Sequence, residues 1–365
     1  FSAAGAFKAK QGRGQICCVG SRKPPWKTRM ASSPSAGELL TARPVDEPDF
    51  LNSAQLRQLT NHKGKVYGVA WVDSDTLASI SQSGQLVLTS VTGEEEARVQ
   101  LKDSWVMAVG ASPNGESIAT GGLSNKLTLF ARTDPKRSGT AMENDHTGYI
   151  SSIAWENDNV IWSSSGDKTI KKWDVQTKKC VATLKGHTAD VLSISLDRKR
   201  NLLASGSADE KVKIWDTISG ECLKTLNLDD GDVNSVSFSS NRSLAACTEE
   251  GKLFVFNCDF AKITKINVGK RESCHAVALS PIGNTAYVCN GSSLTVCDLT
   301  KHNGNDSAGA GNGSNGSNPS GEIANPSAEP DFSIDGKGRI SALAIAPDGK
   351  SIGTGSWSTE VHVFT

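Results

Sequence analysis

Gly186-His187-Thr188-Ala189-Asp190-Val191-Leu192-Ser193-Ile194-Ser195-Leu196 leads, through Leu202-Leu203-Ala204-Ser205-Gly206-Ser207-Ala208-Asp209, to Lys211-Val212-Lys213-Ile214-Trp215-Asp216. A histidine after a turn opens this unit and an aromatic closes it. Leu192, Ile194 and Leu196 alternate with Val191, Ser193 and Ser195, and Val212 and Ile214 alternate with Lys211 and Lys213. A period of two marks strands rather than helices. Residues 202–207 are continuously apolar or small, which suits a strand covered on both faces. Asp209 falls in the turn that follows, where a carboxylate can bond nearby backbone.

The unit recurs. His146 to Trp173-Asp174 is a second copy, and related positions fall at Thr89, Phe130, Trp173, Trp215, Phe256 and Cys297, at intervals of 41, 43, 42, 41 and 41 residues. A period of roughly 40–45 residues with a His start and a Trp-Asp end marks the four-stranded blades of a propeller. The last interval, to Phe364, is 67 residues, and the Gly/Asn/Ser run from Lys301 to about Pro326 accounts for the excess. The expected fold is therefore all-β, a seven-bladed β-propeller. The chain reaches Phe364-Thr365 at the third strand of blade seven. An uncovered edge there would invite aggregation, so residues around Gln55 to Thr60 are expected to supply the outer strand and close the ring.

Two buried polar sets follow from the repeat. His187, Ser205, Asp209 and Trp215 in one copy, and His146, Ser163, Asp167 and Trp173 in the other, can link imidazole to carboxylate, hydroxyl to imidazole and indole N–H to hydroxyl. A buried network is tolerable only when each member is satisfied. A His/Asp/Ser triple elsewhere suggests a hydrolase, but here it repeats with the blades, so the structural role is expected.

Composition bounds the rest. Basic and acidic residues balance at 39 each, yet residues 1–29 hold seven basic residues and no acid, leaving the remainder at −7. That sign makes nucleic acid an unsuitable partner. No run of about 20 apolar residues spans a membrane, so any membrane contact would be indirect, through partners. Nine cysteines without C-x-x-C spacing point away from zinc or a disulfide framework and toward a reducing cytosol. The domain reading is a basic segment over 1–29, disordered or non-native with Met30 as the expected start, a Ser/Pro-rich disordered segment over 30–53, and the propeller over 54–365 with a low-complexity insert at about 301–328 in blade seven's entry loop.

Several stretches narrow the family. Lys65-Val66-Tyr67-Gly68-Val69-Ala70-Trp71 opens blade one, and Ser104-Trp105-Val106-Met107 opens blade two with Gly121-Gly122-Leu123-Ser124-Asn125 on its next strand. His146-Thr147-Gly148-Tyr149 opens blade three with Ser164-Ser165-Gly166-Asp167 behind it. Asp190 and Leu192 stand at the start of blade four, Asp232-Val233-Asn234 opens blade five, and Gly355-Ser356-Trp357 lies in blade seven. In order and spacing, from roughly His62 to Thr365, these resemble the beta subunit of heterotrimeric G proteins, a WD40-repeat family.

The resemblance implies that Lys65, Tyr67, Trp105, Met107, Leu123 and Asn125 meet on one propeller face with Thr147, Tyr149, Gly166, Asp190, Leu192, Asp232 and Trp357. There they would grip the GDP-bound alpha subunit and, after its release, effectors. Aromatics and Met ringed by Lys and Asp have hot-spot composition independently of that likeness. It also implies signal transduction without catalysis or cofactor, in the cytoplasm and at the cytoplasmic face of the plasma membrane. The chain departs from the family in having no heptad-patterned helix before blade one, so gamma-subunit pairing is not expected. Two rim lysines are replaced, one by Gln85 and the other near Glu94 to Glu96, and Thr89-Ser90 stands where blade one would have Trp-Asp. The alternative is a general WD40 scaffold, of the ribosome-associated kinase-receptor type or a substrate adaptor of a ubiquitin ligase.

Overall fold

The computed structural model describes residues 56–135, 139–143, 145–268, 272–281, 283–299, 332–333 and 338–365. The segments 1–29, 30–53 and 301–328 singled out above lie outside them. The described residues form seven four-stranded antiparallel sheets. Blade one runs through Val66–Trp71, Thr76–Ser81, Gln85–Ser90 and Glu95–Gln100, and blade four through Val191–Asp197, Leu202–Ser207, Lys211–Asp216 and Cys222–Asn227. The first strands of successive blades pack side by side, and that of blade seven (Ile340–Ile345) returns to that of blade one. The propeller is thus a closed ring.

The apolar pattern explains why blades stack. Second strands are buried along their length, as in Thr76–Ser81 and Leu202–Ser207. Seven apolar clusters among the described residues each lie between two neighbouring blades, so the core is divided into seams. Between blades three and four, Trp162, Ile170 and Leu184 meet Val191, Leu203 and Trp215. A single blade could not bury both its faces alone, which is why the repeat must be iterated to fold.

The seam between blades seven and one is made the same way, with Leu59, Val66 and Trp71 against Ala342, Val361 and Val363. Leu56–Asn61 pairs antiparallel with Glu360–Phe364, Leu56 opposite Phe364 and Asn61 opposite Glu360. This is the closing outer strand expected around Gln55 to Thr60, with Gln55 outside the described residues. The His62 N–H donates to the Thr359 carbonyl at 2.8 Å, and Trp71 Nε1–H reaches across to the Ala344 carbonyl at 3.0 Å.

Two expectations need correction. Strict alternation over Val191–Leu196 does not hold: Val191 and Ile194 are buried, with Leu192 and Ser193 both half-buried between them. A β-bulge between Val191 and Ser193 breaks the period, because one extra residue on the first strand turns its side chain out of register. The low-complexity insert also belongs to blade six, not to blade seven's entry. It separates blade six's third strand, Ser293–Asp298, from the two-residue outer strand Phe332–Ser333 that pairs with it.

Candidate functional site

The two polar sets close as hydrogen-bond chains. His187 Nδ1 lies 2.8 Å from Asp209 Oδ2 and its Nε2 2.8 Å from Ser205 Oγ, while Trp215 Nε1–H donates to the same hydroxyl at 2.8 Å. In blade three, His146 lies 2.7 Å from Asp167 and 2.8 Å from Ser163, with Trp173 donating to Ser163 at 2.8 Å. With the carboxylate accepting at Nδ1, the hydroxyl must donate to Nε2, which assigns one tautomer to both rings. Burial lowers both imidazole pKa values against the raising influence of the aspartates, so the rings are neutral. Burial alone would raise the Asp167 carboxyl, but hydrogen bonds from Thr169, the Thr147 amide and His146 hold it below its usual value. Ser163 and Ser205 are fully buried, so no substrate reaches either hydroxyl.

His62 carries a pH consequence. Its imidazole bonds Ser79 at 2.8 Å, but Nδ1 has no hydrogen-bond partner among the described residues of this blade, where Thr89 replaces the tryptophan. Burial, with Arg98 adding to it and Glu95 opposing, lowers its pKa from 6.5 to about 4. A depressed folded-state value means that the unfolded chain takes up protons first as pH falls. Stability should therefore be level above pH 6.5 and decline toward pH 4. Urea midpoints measured from pH 8 to 4 test this; an equal midpoint at pH 7 and 5 would contradict buried neutral imidazoles.

At one end of the ring, a single device repeats. In six of the seven blades, the residue before the first strand offers its carbonyl to the end of the second strand or the turn beyond it: Lys65 to Gln82, Trp105 to Leu123, Tyr149 to Gly166, Asp190 to Ala208, Asp232 to Glu249 and Arg339 to Trp357, at 2.8–3.2 Å. A β-bulge follows at the second residue of all seven first strands. The bulges turn Tyr67, Met107 and Leu192 onto the rim, and also Ser151, Asn234, His275 and Ser341. Bulges re-aim side chains, and conserve the strand pairing beyond them.

The rim residues fall into two groups. On blades seven, one and two, the Tyr67 ring lies 6.1 Å from that of Trp105 and 6.3 Å from that of Trp357. Lys65 Nζ sits 3.9 Å from the Trp357 centroid and the Arg339 guanidinium 4.7 Å from it, so that indole carries two cations. Trp105 is 40% and Leu123 51% exposed, whereas Tyr67, Met107 and Trp357 are half-buried. Asn125 takes the left-handed turn position next to Leu123, with φ 63°.

On blades three to five the rim is acidic. The Tyr149 hydroxyl donates to Asp190 at 2.8 Å, and its ring lies flat against Gly166, where a Cβ would come within 2.4 Å of it. Any larger residue at Gly166 would displace the tyrosine. Burial, then Glu249 and Asp190, raise the Asp232 carboxyl pKa. Thr147 stands apart from this group, exposed, with its amide held by Asp167 at 3.0 Å.

Sequence reasoning missed Arg339, His275 and Glu249. Arg339 precedes Ile340 as Lys65 precedes Val66, so the repeat position was the available signal. His275 holds the bulge position of blade six, 2.5 Å from Arg339. Gln85, in place of a rim lysine, is buried and accepts the Lys63 N–H at 3.0 Å. Glu95 and Glu96 lie on blade one's outer strand, paired with Arg98 and Arg132.

Comparison with known proteins agrees with this geometry. The WD40 family (WD domain, G-beta repeat) matches residues 140–174, 178–216 and 220–257, across blades three to five. Guanine nucleotide-binding protein subunit beta-1 of Caenorhabditis briggsae is 37% identical over 146 residues, which cover 38% of this chain and 42% of that protein. The guanine nucleotide-binding protein G(I)/G(S)/G(T) subunit beta-1 of Homarus americanus has the same identity and coverage. The match thus spans less than half the length of these relatives. The crystal structure of the WD40 beta propeller domain of Doa1 superposes with TM-score 0.66 at 20% identity, covering 86% of this chain and 96% of that one, and so shares the fold. Blades three to five thus match the WD40 repeat, and the chain is a seven-bladed propeller that is similar, over part of its length, to G-protein beta subunits.

Proposed function

We propose that this chain is a G-protein beta-like signal transducer whose bulged rim holds a GDP-bound alpha subunit and, once that subunit leaves, effectors. The observation that carries the reading is the convergence of Lys65, Tyr67, Trp105 and Trp357 into one partly exposed stack at the ring's mouth. Its support is the likeness to two proteins named as beta-1 subunits. The mechanism is competition for one surface. GTP reorders the switch segments of alpha, the rim is freed, and a second partner binds. The chain itself performs no reaction, and its place is the cytoplasm and the cytoplasmic face of the plasma membrane.

Pull-down from native lysate tests this, with excess GDP and then a non-hydrolysable GTP analogue. An alpha subunit retained in GDP and released by the analogue is the expected result. A set of partners indifferent to nucleotide would instead identify a scaffold. Lys65→Ala, Trp105→Ala and Trp357→Ala should each weaken alpha binding by ~1–4 kcal/mol, the range for truncated central anchors, with melting temperature nearly unchanged. Calorimetric titration of all three with wild-type affinity would show that the rim is not the alpha-binding face.

A further inference from the structure

Blade two departs from blade three at every position of the buried network. Thr120 pairs with Thr128 and Ile118 with Phe130, as Ser163 pairs with Lys171 and Ile161 with Trp173 in blade three. Asp103 precedes Thr120 by the 17 residues that separate His146 from Ser163, and Ser124 follows by the four that separate Ser163 from Asp167. Asp103, Thr120, Ser124 and Phe130 therefore stand where blade three has histidine, serine, aspartate and tryptophan. An imidazole has become a carboxylate and an indole a phenyl, and no hydrogen bond joins Asp103, Thr120 and Ser124.

These four residues line a cleft of about 400 Å3. Buried Leu101, Val106 and Phe130 form its floor. Lys102 and Lys126, both exposed, and half-buried Asp103 and Ser124 line its mouth. Trp105 also lines it, with φ 58°. Left-handed backbone at a bulky residue is strained, and folds sustain such strain mostly at functional sites. The corresponding rim residues Lys65, Tyr149, Asp190, Asp232 and Arg339 do not share it. The volume falls within the range of ligand pockets. Two ammonium groups against one carboxylate give the mouth a positive balance.

We propose that this cleft, which adjoins the rim and shares Trp105 with it, is a second binding site that takes one bulky apolar side chain from an acidic peptide segment. The apolar floor would receive the side chain, and Lys102 and Lys126 would flank its acidic neighbours. Asp103 and Ser124 would accept and donate hydrogen bonds to the peptide backbone.

Fluorescence anisotropy with the full chain and three labelled pentapeptides tests the assignment. Glu-Glu-Phe-Glu-Glu should bind, while Glu-Glu-Gly-Glu-Glu and Lys-Lys-Phe-Lys-Lys should bind about tenfold more weakly or not at all. Asp103→His, Ser124→Asp and Phe130→Trp together rebuild the network. That variant should melt no lower than the parent and lose the first peptide by about tenfold. Lys126→Glu, on the surface, should weaken the same peptide without moving the melting temperature. Absence of binding by the first peptide, equal binding of all three, or binding untouched by both variants overturns the proposal. Because none of these changes alters Lys65 or Trp357, the outcome is independent of the alpha-subunit experiment.

Discussion

Trp215→Ala is expected to cost ~3–5 kcal/mol, the range for emptying a large aromatic site in a packed core. The side chain is 2% exposed and packs in the seam with Trp162, Ile170 and Leu203. Truncation leaves a cavity between two blades that neither can collapse into, since both are held by strand pairing. It also removes the N–H that Ser205 accepts at 2.8 Å and the ring whose centroid lies 6.2 Å from that of His187. The comparison is Trp215→Phe, which keeps most of the volume and loses chiefly the donor, for ~1 kcal/mol. Phe130→Ala in blade two, where no such chain exists, should disturb less polar structure. Calorimetric melting should place Trp215→Ala on the order of 10 °C below the parent. A melting temperature within a degree of the parent would mean that the network is ornamental to stability.

Deletion of Leu56–Asn61 should produce protein that elutes in the void volume on size exclusion. Without that strand, Glu360–Phe364 presents a bare row of backbone donors and acceptors. Val361, Val363 and Phe364, all essentially buried in the intact ring, would lose part of their cover. An apolar, unpaired edge is a template for pairing between molecules. Deletion also removes Leu59 from the seam cluster and leaves Trp71 partly uncovered. A monomeric, cooperatively melting deletion product would show that the ring holds without its outer closure.

The repeat was legible because it depends on residue type: histidine and tryptophan recur at fixed spacing, and their hydrogen-bond chemistry restricts what can stand between them. The rim was legible only in part. Trp105, Tyr149 and Trp357 stand out by size, whereas the bulges that aim the neighbouring side chains are backbone events with no residue signature. Hence Leu192 reads as part of an alternating strand until the pairing register is seen. Arg339 and His275 escaped because blades six and seven lack the histidine and the Trp-Asp that mark blades three and four. The insert was placed one connection late for a similar reason, since Phe332–Ser333 is too short to carry any periodic pattern. Blade two's cleft was hidden because Asp103 and Ser124 are ordinary loop residues until counted against blade three.

The pairing of Leu56–Asn61 with Glu360–Phe364 also sets a clock. The two strands are separated by about 300 residues of chain, which takes roughly 15–60 s to synthesise at the usual pace of translation. Throughout that interval the early strand is made but its partner does not exist. Blades one to six can assemble in order as they emerge, each on the flank of the last. The closing strand must be kept from false partners until Glu360–Phe364 is free of the ribosome. A nascent chain stalled before residue 360 should therefore recruit chaperones that the completed ring does not.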